Sequence, residues 1–559
     1  MTFAIEPGPV RPAFEEACRR LLDRRFSEAL WARRLDVWSG DADIQRKIGD
    51  RLGWLDAADA MRPYLPRLRT FADSVRDAGF TDVVLLGMGG SSLASEVMRA
   101  AIGVAPGFPR FRVLDSVDPD AVRDAMAQPA TTLFILASKS GSTIELISLS
   151  AEAERRLRAE SVHDVGSHFV AITDDNTVLQ RQAANQRFRD LFINPSDIGG
   201  RFSALSLFGL VPAAVMGIDI DALLATARDM AGQCRIADPE SNPGLALGAL
   251  IGAASIVGRD KLTLVLPASL ERFGLWAEQL IAESTGKHGK GIVPVAESTF
   301  DVTRAEDRVV VAVTRSGASD TSFYQEARAN HMPVVTLRIA DGNALGAEFF
   351  RWEVATATAG WLLDINPFDE PNVQQAKDAT RALLAGYAAD HGLPVREPDA
   401  AIEGARIVRT APAVASSHDG QAHSLGVLDL LRPRDYFALL AYLPPDDTPF
   451  LPTLNRIRSK VAEKAGCATM LGFGPRYLHS TGQLHKGGPN TGVFLIITAG
   501  PSEDLPVPGE PYSFGVLEMA QALGDFESLE RMGRRAVHVH LPRRDPSLLE
   551  RVAARILGD

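Results

Sequence analysis

Apolar residues recur along this chain with two different spacings. Up to about residue 75 they return every three or four positions, as in FEEACRRLLDRRFSEALWARR, which predicts an N-terminal helical segment over residues 1–75. From there the pattern changes to short apolar runs, each followed by a loop and a helix, as in TDVVLLGMGGSSLASEVMRAAIG, RFRVLDSVDPDAVRDAM and TTLFILASKSGSTIELISLSAEAERRLRA. This alternation indicates an α/β fold, a parallel sheet with helices on both faces.

A second series of strands follows a helical stretch. The strands are predicted in KLTLVLPASL, RVVVAVTRSGASDTSFYQEARAN and MPVVTLRIA. Both FILASKSGSTIELISLSAEA and VAVTRSGASDTSFYQEARAN contain a strand, an S-G pair with nearby hydroxyls and a helix, which indicates a weak internal duplication. We therefore predict two α/β domains, 76–230 and 231–390. A loop-like segment then leads to a C-terminal α/β region, 400–559, with strands in YFALLAYLP, TGVFLIITA and RAVHVHLP.

Composition narrows the function. The 559 residues are 46% hydrophobic and carry a net charge of −11, which argues against a general nucleic-acid binder but leaves room for a local phosphate pocket. The three cysteines, Cys18, Cys234 and Cys467, form no C-x-x-C, as expected in a reducing compartment. No apolar stretch reaches the ~20 residues of a membrane span, and the first residues do not read as a secretory signal. We expect a cytoplasmic protein that binds no membrane.

Two loops between a strand and a helix are candidate anion sites. In GMGGSS (87–92) free amides at a helix start favour an anion. A dinucleotide fingerprint would need glycine where Ser92 stands, yet Asp115 follows the next strand, so a nicotinamide site and a simple tight turn both stay open. SKSGST (138–143) has four hydroxyls and a lysine, which favours a bound monophosphate. Helix capping is the alternative, although one hydroxyl would suffice for it.

FGLWAEQLIAESTGK (273–287) predicts a helix that ends near Ser284 or Thr285, terminated by Gly286. Gln279 and Glu283 are four apart and share a face. The negative end of the helix dipole disfavours an ionised Glu283, which would bring its pKa toward the range of a general base. A surface glutamate is the ordinary alternative.

The middle of this segment, STGKH, looks like the end of a nucleotide-binding P-loop. The template G-x-x-x-x-G-K-[ST] fails at both ends, because Ile281 replaces its first glycine and His288 its final hydroxyl. We therefore predict no ATPase and assign Lys287 a structural or peripheral role. The histidines form no metal-ligand pattern, but His479 and His485 share a glycine-bearing loop, HSTGQLHKGG, that suits acid–base chemistry.

Five motifs, in one order between about residues 80 and 390, resemble the phosphoglucose isomerase family. They are GMGGSSL, SKSGST, IGGRFS, QLIAESTGK and DINPFDEPNVQQAK. The resemblance implies two sugar-isomerase (SIS) domains, each a doubly wound parallel sheet of the flavodoxin-like kind. It also implies reversible isomerisation of D-glucose 6-phosphate to D-fructose 6-phosphate in glycolysis and gluconeogenesis. That reaction proceeds by ring opening and proton transfer through a cis-enediol, and it needs neither a metal nor a redox cofactor.

The resemblance also assigns roles to residues. Glu283 falls on the base that shuttles the proton, Arg201 on the arginine that stabilises the enediolate, and Lys377 on a lysine that assists ring opening. The implied substrate-binding residues are Gly90, Ser91, Ser138, Lys139, Ser140, Ser142, Thr143, Gly200 and Gln279.

One departure concerns the histidine that opens the sugar ring. In the family it lies between the glutamate and the lysine and comes from the neighbouring subunit, whereas here only His288 and His331 lie in that interval, without the expected context. GQLHKGG makes His485 our candidate, and a histidine supplied across an interface predicts a homodimer. The C-terminal region is similar to the isomerase part of transaldolase–isomerase fusions, although the chain has no room for the transaldolase barrel.

Other functions stay open. A related aldose–ketose phosphosugar isomerase, including one that also accepts mannose 6-phosphate, would share these motifs. A non-catalytic sugar-phosphate sensor on the same domains would be expected to lack the base, and Glu283 is present.

Overall fold

A computed structural model describes residues 2–297, 300–315, 322–416, 426–445 and 448–558. The strands are β1 (Thr2–Glu6), β2 (Asp82–Gly87), β3 (Arg110–Leu114), β4 (Thr132–Ala137), β5 (Phe169–Thr173), β6 (Asp190–Ile193), β7 (Lys261–Val265), β8 (Val293–Ala296), β9 (Arg308–Arg315), β10 (Val334–Ile339), β11 (Ala400–Ile402), β12 (Ala405–Arg409), β13 (Tyr436–Tyr442), β14 (Ala468–Phe473), β15 (Gly492–Ala499) and β16 (Arg535–Leu541).

The helices are α1 (Arg11–Asp23), α2 (Phe26–Trp31), α3 (Ala42–Gly49), α4 (Ala57–Ala60), α5 (Leu65–Asp77), α6 (Leu93–Ala101), α7 (Pro119–Ala125), α8 (Ile144–Ala159), α9 (Val178–Asn185), α10 (Leu207–Val215), α11 (Ile220–Gln233), α12 (Pro243–Ile256), α13 (Glu271–Thr285), α14 (Ser322–Ala329), α15 (Leu345–Leu362), α16 (Val373–Asp390), α17 (Ala411–Ser416), α18 (Leu451–Ala465), α19 (Gly482–Gly487), α20 (Phe514–Arg531) and α21 (Pro546–Ile556). Within the described ranges, no helix is long and apolar enough to cross a bilayer.

The first sheet is fully parallel, with strand order β3-β2-β4-β5-β6. The central strands β2 and β4 are apolar and buried along their whole length, because helices cover both faces of the sheet. The connections from β2 and β4 leave toward opposite edges of the sheet. A ligand crevice is expected at the carboxyl ends of strands beside such a reversal.

The second sheet has the order β1-β10-β9-β7-β8, parallel except for β1. The prediction of a purely helical N-terminal segment was therefore incomplete: Thr2–Glu6 forms a strand antiparallel to β10 before the predicted helices begin. A strand whose partner lies so far along the chain has no local signature in the sequence. The S-G loop of the second repeat, residues 316–321, lies outside the described residues.

The third sheet has the order β11-β12-β16-β15-β13-β14. Its four strands β14-β13-β15-β16 are parallel and repeat the order of β3-β2-β4-β5 in the first sheet. Apolar clusters line both faces of this sheet, so the C-terminal region is a third doubly wound unit. The predicted fold class, two such units followed by a C-terminal α/β region, is confirmed.

Buried ion pairs join the first unit to the third. Arg476, which follows β14, donates two hydrogen bonds to Asp115 after β3, at 2.7 and 2.8 Å. Arg544, after β16, pairs with Asp118 and Asp120. The carboxyl ends of the two sheets therefore face each other, and the loop after β14 reaches the crevice of the first sheet.

Candidate active site

A cleft of about 510 Å³ opens at the carboxyl ends of the first sheet. It brings together almost all the predicted site residues: Gly90, Ser91, Ser138, Lys139, Ser140, Thr143, Gly200, Arg201, Gln279, Glu283 and Lys377. Ser142 lines an adjoining chamber of about 250 Å³ that shares Ser140, Thr143 and Lys377 with the cleft. Glu370, which was given no role from the sequence, and His479, which was considered for acid–base chemistry but not chosen, also line the cleft.

The glycine turn after β2 allows two loops to meet closely. A Cβ at Gly90 would lie 2.0 Å from the carbonyl oxygen of Gly200, so only glycine fits there. Gly89 has a positive φ of 55°, and a Cβ on it would collide with the carbonyl oxygen of His479. The glycine turn therefore packs closely against both the loop that carries Arg201 and the loop of the third unit that carries His479.

The hydroxyls of SKSGST are arranged around a compact turn between β4 and α8. The Ser138 hydroxyl bonds the Thr143 hydroxyl at 3.1 Å and accepts from the Gly141 amide at 3.1 Å. Thr143 stands at the N-cap position of α8, yet its side chain caps no amide of that helix. The capping alternative therefore does not explain these hydroxyls, and the amides at the start of α8 stay available to an anion. Lys139 is paired with Asp174.

Glu283 lies in the last turn of α13, and Gly286 follows the helix as its C-cap, as predicted. Gln279, one turn earlier, donates from Nε2 to Glu283 Oε2 at 3.1 Å and to the His479 carbonyl at 2.8 Å. The predicted shared face of Gln279 and Glu283 is confirmed, and it points into the cleft.

The pKa of Glu283 is raised, but the main cause is not the helix dipole invoked from the sequence. Burial raises this pKa most, Arg201 opposes it, and the carboxylate of Glu370 raises it further. Gln279 and Lys287 lower it through a hydrogen bond and a positive charge. A buried carboxyl group with a raised pKa is suited to take and return a proton.

Arg201 is buried beside Glu283, with its guanidinium held at several atoms. Nε donates to the Ser284 hydroxyl at 2.8 Å, and Nη2 donates to the carbonyls of Pro367 and Asp369 at 2.8 and 3.0 Å. Nη1 lies 3.4 Å from Glu283 Oε1. Because these contacts fix the guanidinium, Arg201 is preorganised to stabilise negative charge that develops in the cleft.

Lys287 is not peripheral, although its assignment as a structural residue fits the structure. Its buried ammonium donates to the Asn366 carbonyl at 2.7 Å and to Asp369 Oδ1 at 2.7 Å. Burial lowers the pKa of Lys287 to about 8. Lys287 thus ties the end of α13 to the loop between α15 and α16.

His479, not His485, is the histidine in the cleft, which corrects the prediction. Its Nε2 lies 2.8 Å from Oε1 of Glu145, a buried residue in the first turn of α8. Gln521 on α20 donates to the same carboxylate oxygen at 2.7 Å. Burial raises the pKa of Glu145, but His479, a backbone hydrogen bond and Lys377 together outweigh burial, and the pKa is lowered. The imidazole ring of His479 is therefore held in place by the buried carboxylate of Glu145.

His485 is buried away from the cleft. Its Nδ1 bonds the Tyr436 hydroxyl at 3.1 Å, and burial lowers its pKa well below the ordinary value. The other candidates, His288 and His331, are exposed and do not line the cleft. The nicotinamide alternative also loses its support, because the Asp115 carboxylate is bound by Arg476 and is not free for a ribose.

These sheets and this cleft define an α/β protein of the sugar-isomerase type, with Glu283, Arg201 and His479 around a sugar-sized space. The model of the phosphoglucose isomerase family matches residues 55–303. A probable glucose-6-phosphate isomerase from Haloarcula marismortui is 31% identical over 62% of this chain and 86% of its own length. The chain therefore belongs to the phosphoglucose isomerase family.

Other relatives agree with this assignment. Glucose-6-phosphate isomerase from Rubrobacter xylanophilus is 30% identical over 59% of this chain and 88% of its own. A hypothetical protein from Thermus thermophilus superposes with a TM-score of 0.58 at 27% identity, over 69% of this chain and all of its own. The fold of a glucose-6-phosphate isomerase from Chlamydia trachomatis matches with a TM-score of 0.51 at 20% identity, over 68% of this chain and 86% of that one.

Proposed function

We propose that this protein interconverts glucose 6-phosphate and fructose 6-phosphate, with Glu283 as the base that moves the proton between carbons 1 and 2. The observation that carries the mechanism is the position of Glu283, a buried carboxyl group with a raised pKa beside Arg201 in a cleft of sugar-phosphate size. A single carboxylate on one face of the substrate suffices for this transfer, and the step requires no metal or redox cofactor.

The remaining residues fit the other steps. The hydroxyls and amides of SKSGST receive the 6-phosphate at the start of α8. His479 and Lys377 line the same cleft on the side of this loop and open the ring by moving a proton between the ring oxygen and the 1- or 2-hydroxyl. Glu283 then removes the proton from one carbon and returns it to the other. Arg201 stabilises the enediolate between the two transfers.

A coupled assay of fructose 6-phosphate conversion in chelator-treated buffer tests this function. We expect turnover with fructose 6-phosphate, and its absence would refute the proposal. Mannose 6-phosphate in the same assay decides whether the enzyme is specific for one epimer. The location expected for such an enzyme is the cytoplasm, in keeping with three buried free thiols.

The proposed catalytic set lies within one chain. The homodimer predicted from the sequence depended on a histidine from a neighbouring subunit, whereas His479 of the same chain lines the same cleft as Glu283. The third doubly wound unit supplies this histidine through the loop after β14. A dimer is therefore not required to complete the site.

Mixing two inactive variants tests this arrangement. We expect that co-expressed Glu283→Gln and His479→Ala chains recover no activity, because each chain lacks one group of its own site. If the histidine came from a neighbour, mixed dimers would contain one intact site and would regain up to about a quarter of the wild-type rate. Wild-type chains co-expressed with either variant provide the positive control.

Glu145 is proposed to position His479. We expect Glu145→Gln to lower turnover of cyclic substrate about 10-fold, the scale on which supporting hydrogen bonds act. Glu145→Asp should restore part of the loss because it keeps the charge. If Glu145→Gln acted only through the structure, it would slow the cyclic substrate and a substrate that cannot form a ring by the same factor. An equal loss with both substrates would therefore contradict the assignment.

A further inference from the structure

Glu370 is a second carboxylate on the arginine that faces the base. Its Oε2 lies 3.0 Å from Arg201 Nη1, the nitrogen that also lies 3.4 Å from Glu283 Oε1. Because Glu370 Oε2 and Glu283 Oε1 both lie beside Nη1 of Arg201, the two carboxylates are within roughly 6 Å of each other. At this distance two negative charges repel each other strongly. Glu283 is nearly buried, whereas the side chain of Glu370 is 40% exposed in the cleft.

The backbone around Glu370 is fixed from both sides. The preceding residues accept hydrogen bonds from Lys287 and from Nη2 of Arg201. Just after it, the Asn372 amide donates to Oε1 of Gln483, on the helix that follows the His479 loop, at 2.8 Å. The backbone of Glu370 is therefore held beside Arg201 by the fold, in a loop tied to α13 and to the third unit, while its side chain is not fixed by these contacts.

We propose that Glu370 is a positioning residue of the isomerase reaction: it shares Arg201 with Glu283 and so keeps Glu283 a stronger base than one arginine alone would leave it. The inference rests on the proposed function of Glu283. A buried guanidinium that faced a single carboxylate would stabilise its negative charge and occupy the oxygen that accepts the proton. When a second carboxylate binds the same nitrogen, the attraction of Arg201 is shared between Glu283 and Glu370.

The charges around Glu283 come from several elements. Arg201 follows β6 of the first unit, Lys287 follows α13, and Glu370 precedes α16. All three act on the Glu283 carboxyl group. Lys377 on α16 and His479 of the third unit line the same cleft. Asp369 faces Lys287 rather than Glu283 and so offsets that ammonium. Glu370 is thus the negative charge of this set that acts directly on the base.

The exposure of Glu370 gives it a second property. When negative charge develops on the substrate, the new oxyanion competes for Nη1 of Arg201. Glu370 can leave that nitrogen and become hydrated. The buried Glu283, if it left Arg201, would be a buried charge without a cation or water, at a large cost in free energy. Glu370 therefore serves as a counter-ion that the substrate can displace.

The pH dependence of Glu370→Gln tests the proposal. Glutamine keeps the size of the side chain and removes its charge, so the ionised form of Glu283 is favoured. Since turnover requires ionised Glu283, we expect the acid limb of the kcat profile to move about one pH unit lower. The plateau should fall several-fold because a less basic carboxylate transfers the proton more slowly, while KM changes little. The substrate phosphate titrates equally in every variant, so only differences between profiles count.

Two further variants sharpen the result. Glu370→Asp retains the charge and should bring the acid limb back toward the wild-type position. Asp378→Asn removes a carboxylate from α16 that pairs with Arg381 outside the cleft, and it should leave the acid limb in place.

An unmoved acid limb in Glu370→Gln would overturn the proposal, and so would a raised KM without a shift, which would make Glu370 a substrate contact only. Either result leaves the function of Glu283 intact provided that wild type turns over and Glu283→Gln does not. An active Glu283→Gln variant would instead refute the proposed function itself.

Discussion

The Glu283→Gln variant is expected to fold normally and to lose about 10²- to 10⁴-fold in kcat, the usual contribution of a general base. Glutamine has the same shape and can keep a hydrogen bond with Gln279, so the end of α13 should be preserved. What it lacks is a site that takes a proton from carbon and returns it. Coupled turnover and the temperature of thermal unfolding measure the two expectations separately.

Glu278 offers a matched control for this loss. It precedes Gln279 on the same helix and is a partly buried glutamate, whose pKa desolvation raises to about 7. Its Oε1 accepts from the Ala296 amide at 3.2 Å, away from the cleft. Glu278→Gln should therefore keep near-normal turnover. If Glu283→Gln did so too, Glu283 would have no part in the proton transfer.

The parts of the site that the sequence predicted are those encoded locally. The glycine turn of GMGGSS, the hydroxyl turn of SKSGST and the end of α13 each lie within about ten consecutive residues, between a strand and a helix or at a helix terminus. In such segments the residue types, the backbone geometry and the position in the cleft are set together. The two turns follow the neighbouring strands β2 and β4 and meet at the switch point of the first sheet. The end of α13 belongs to the second unit and reaches them because α13 packs against α6.

The choice between His479 and His485 could not be made in this way. Both residues lie in one loop with similar neighbours. His485 lies within the short helix α19 and turns toward Tyr436 in the third unit, whereas His479 ends the turn before it. That turn is held against the first unit by the pairing of Arg476 with Asp115, 361 residues apart in sequence. A contact of this range leaves no pattern in the loop itself.

The electrostatics of Glu283 also depended on long-range contacts. Its position at a helix terminus was evident from the sequence, but the raised pKa comes first from burial. Arg201 lowers this pKa, and Glu370 offsets part of that effect. Glu370 belongs to the motif DINPFDEPNVQQAK, where it looks like an ordinary surface charge. Only the fold places it on the same guanidinium as the base.

The His479→Ala variant is expected to lose about 10²-fold in turnover of fructose 6-phosphate, because ring opening loses its proton carrier. The decisive measurement uses 5-deoxyfructose 6-phosphate, which has no 5-hydroxyl with which to close the furanose ring. This substrate needs only the proton transfer by Glu283, so His479→Ala should convert it at close to the wild-type rate, while Glu283→Gln should remain inactive toward it.

The same pair of substrates separates His479 from His485. His485→Asn alters a buried contact with Tyr436, so any effect it has should come through stability and be equal for both substrates. A loss confined to the cyclic substrate in His485→Asn, with His479→Ala unaffected, would assign ring opening to His485.

A loss confined to the cyclic substrate in His479→Ala would mean that the third doubly wound unit completes the site. It would do so by placing one histidine beside the phosphate loop of the first unit. The site then depends on the contact between these two units, because the carboxylate that holds His479, Glu145, belongs to the first unit and the histidine to the third.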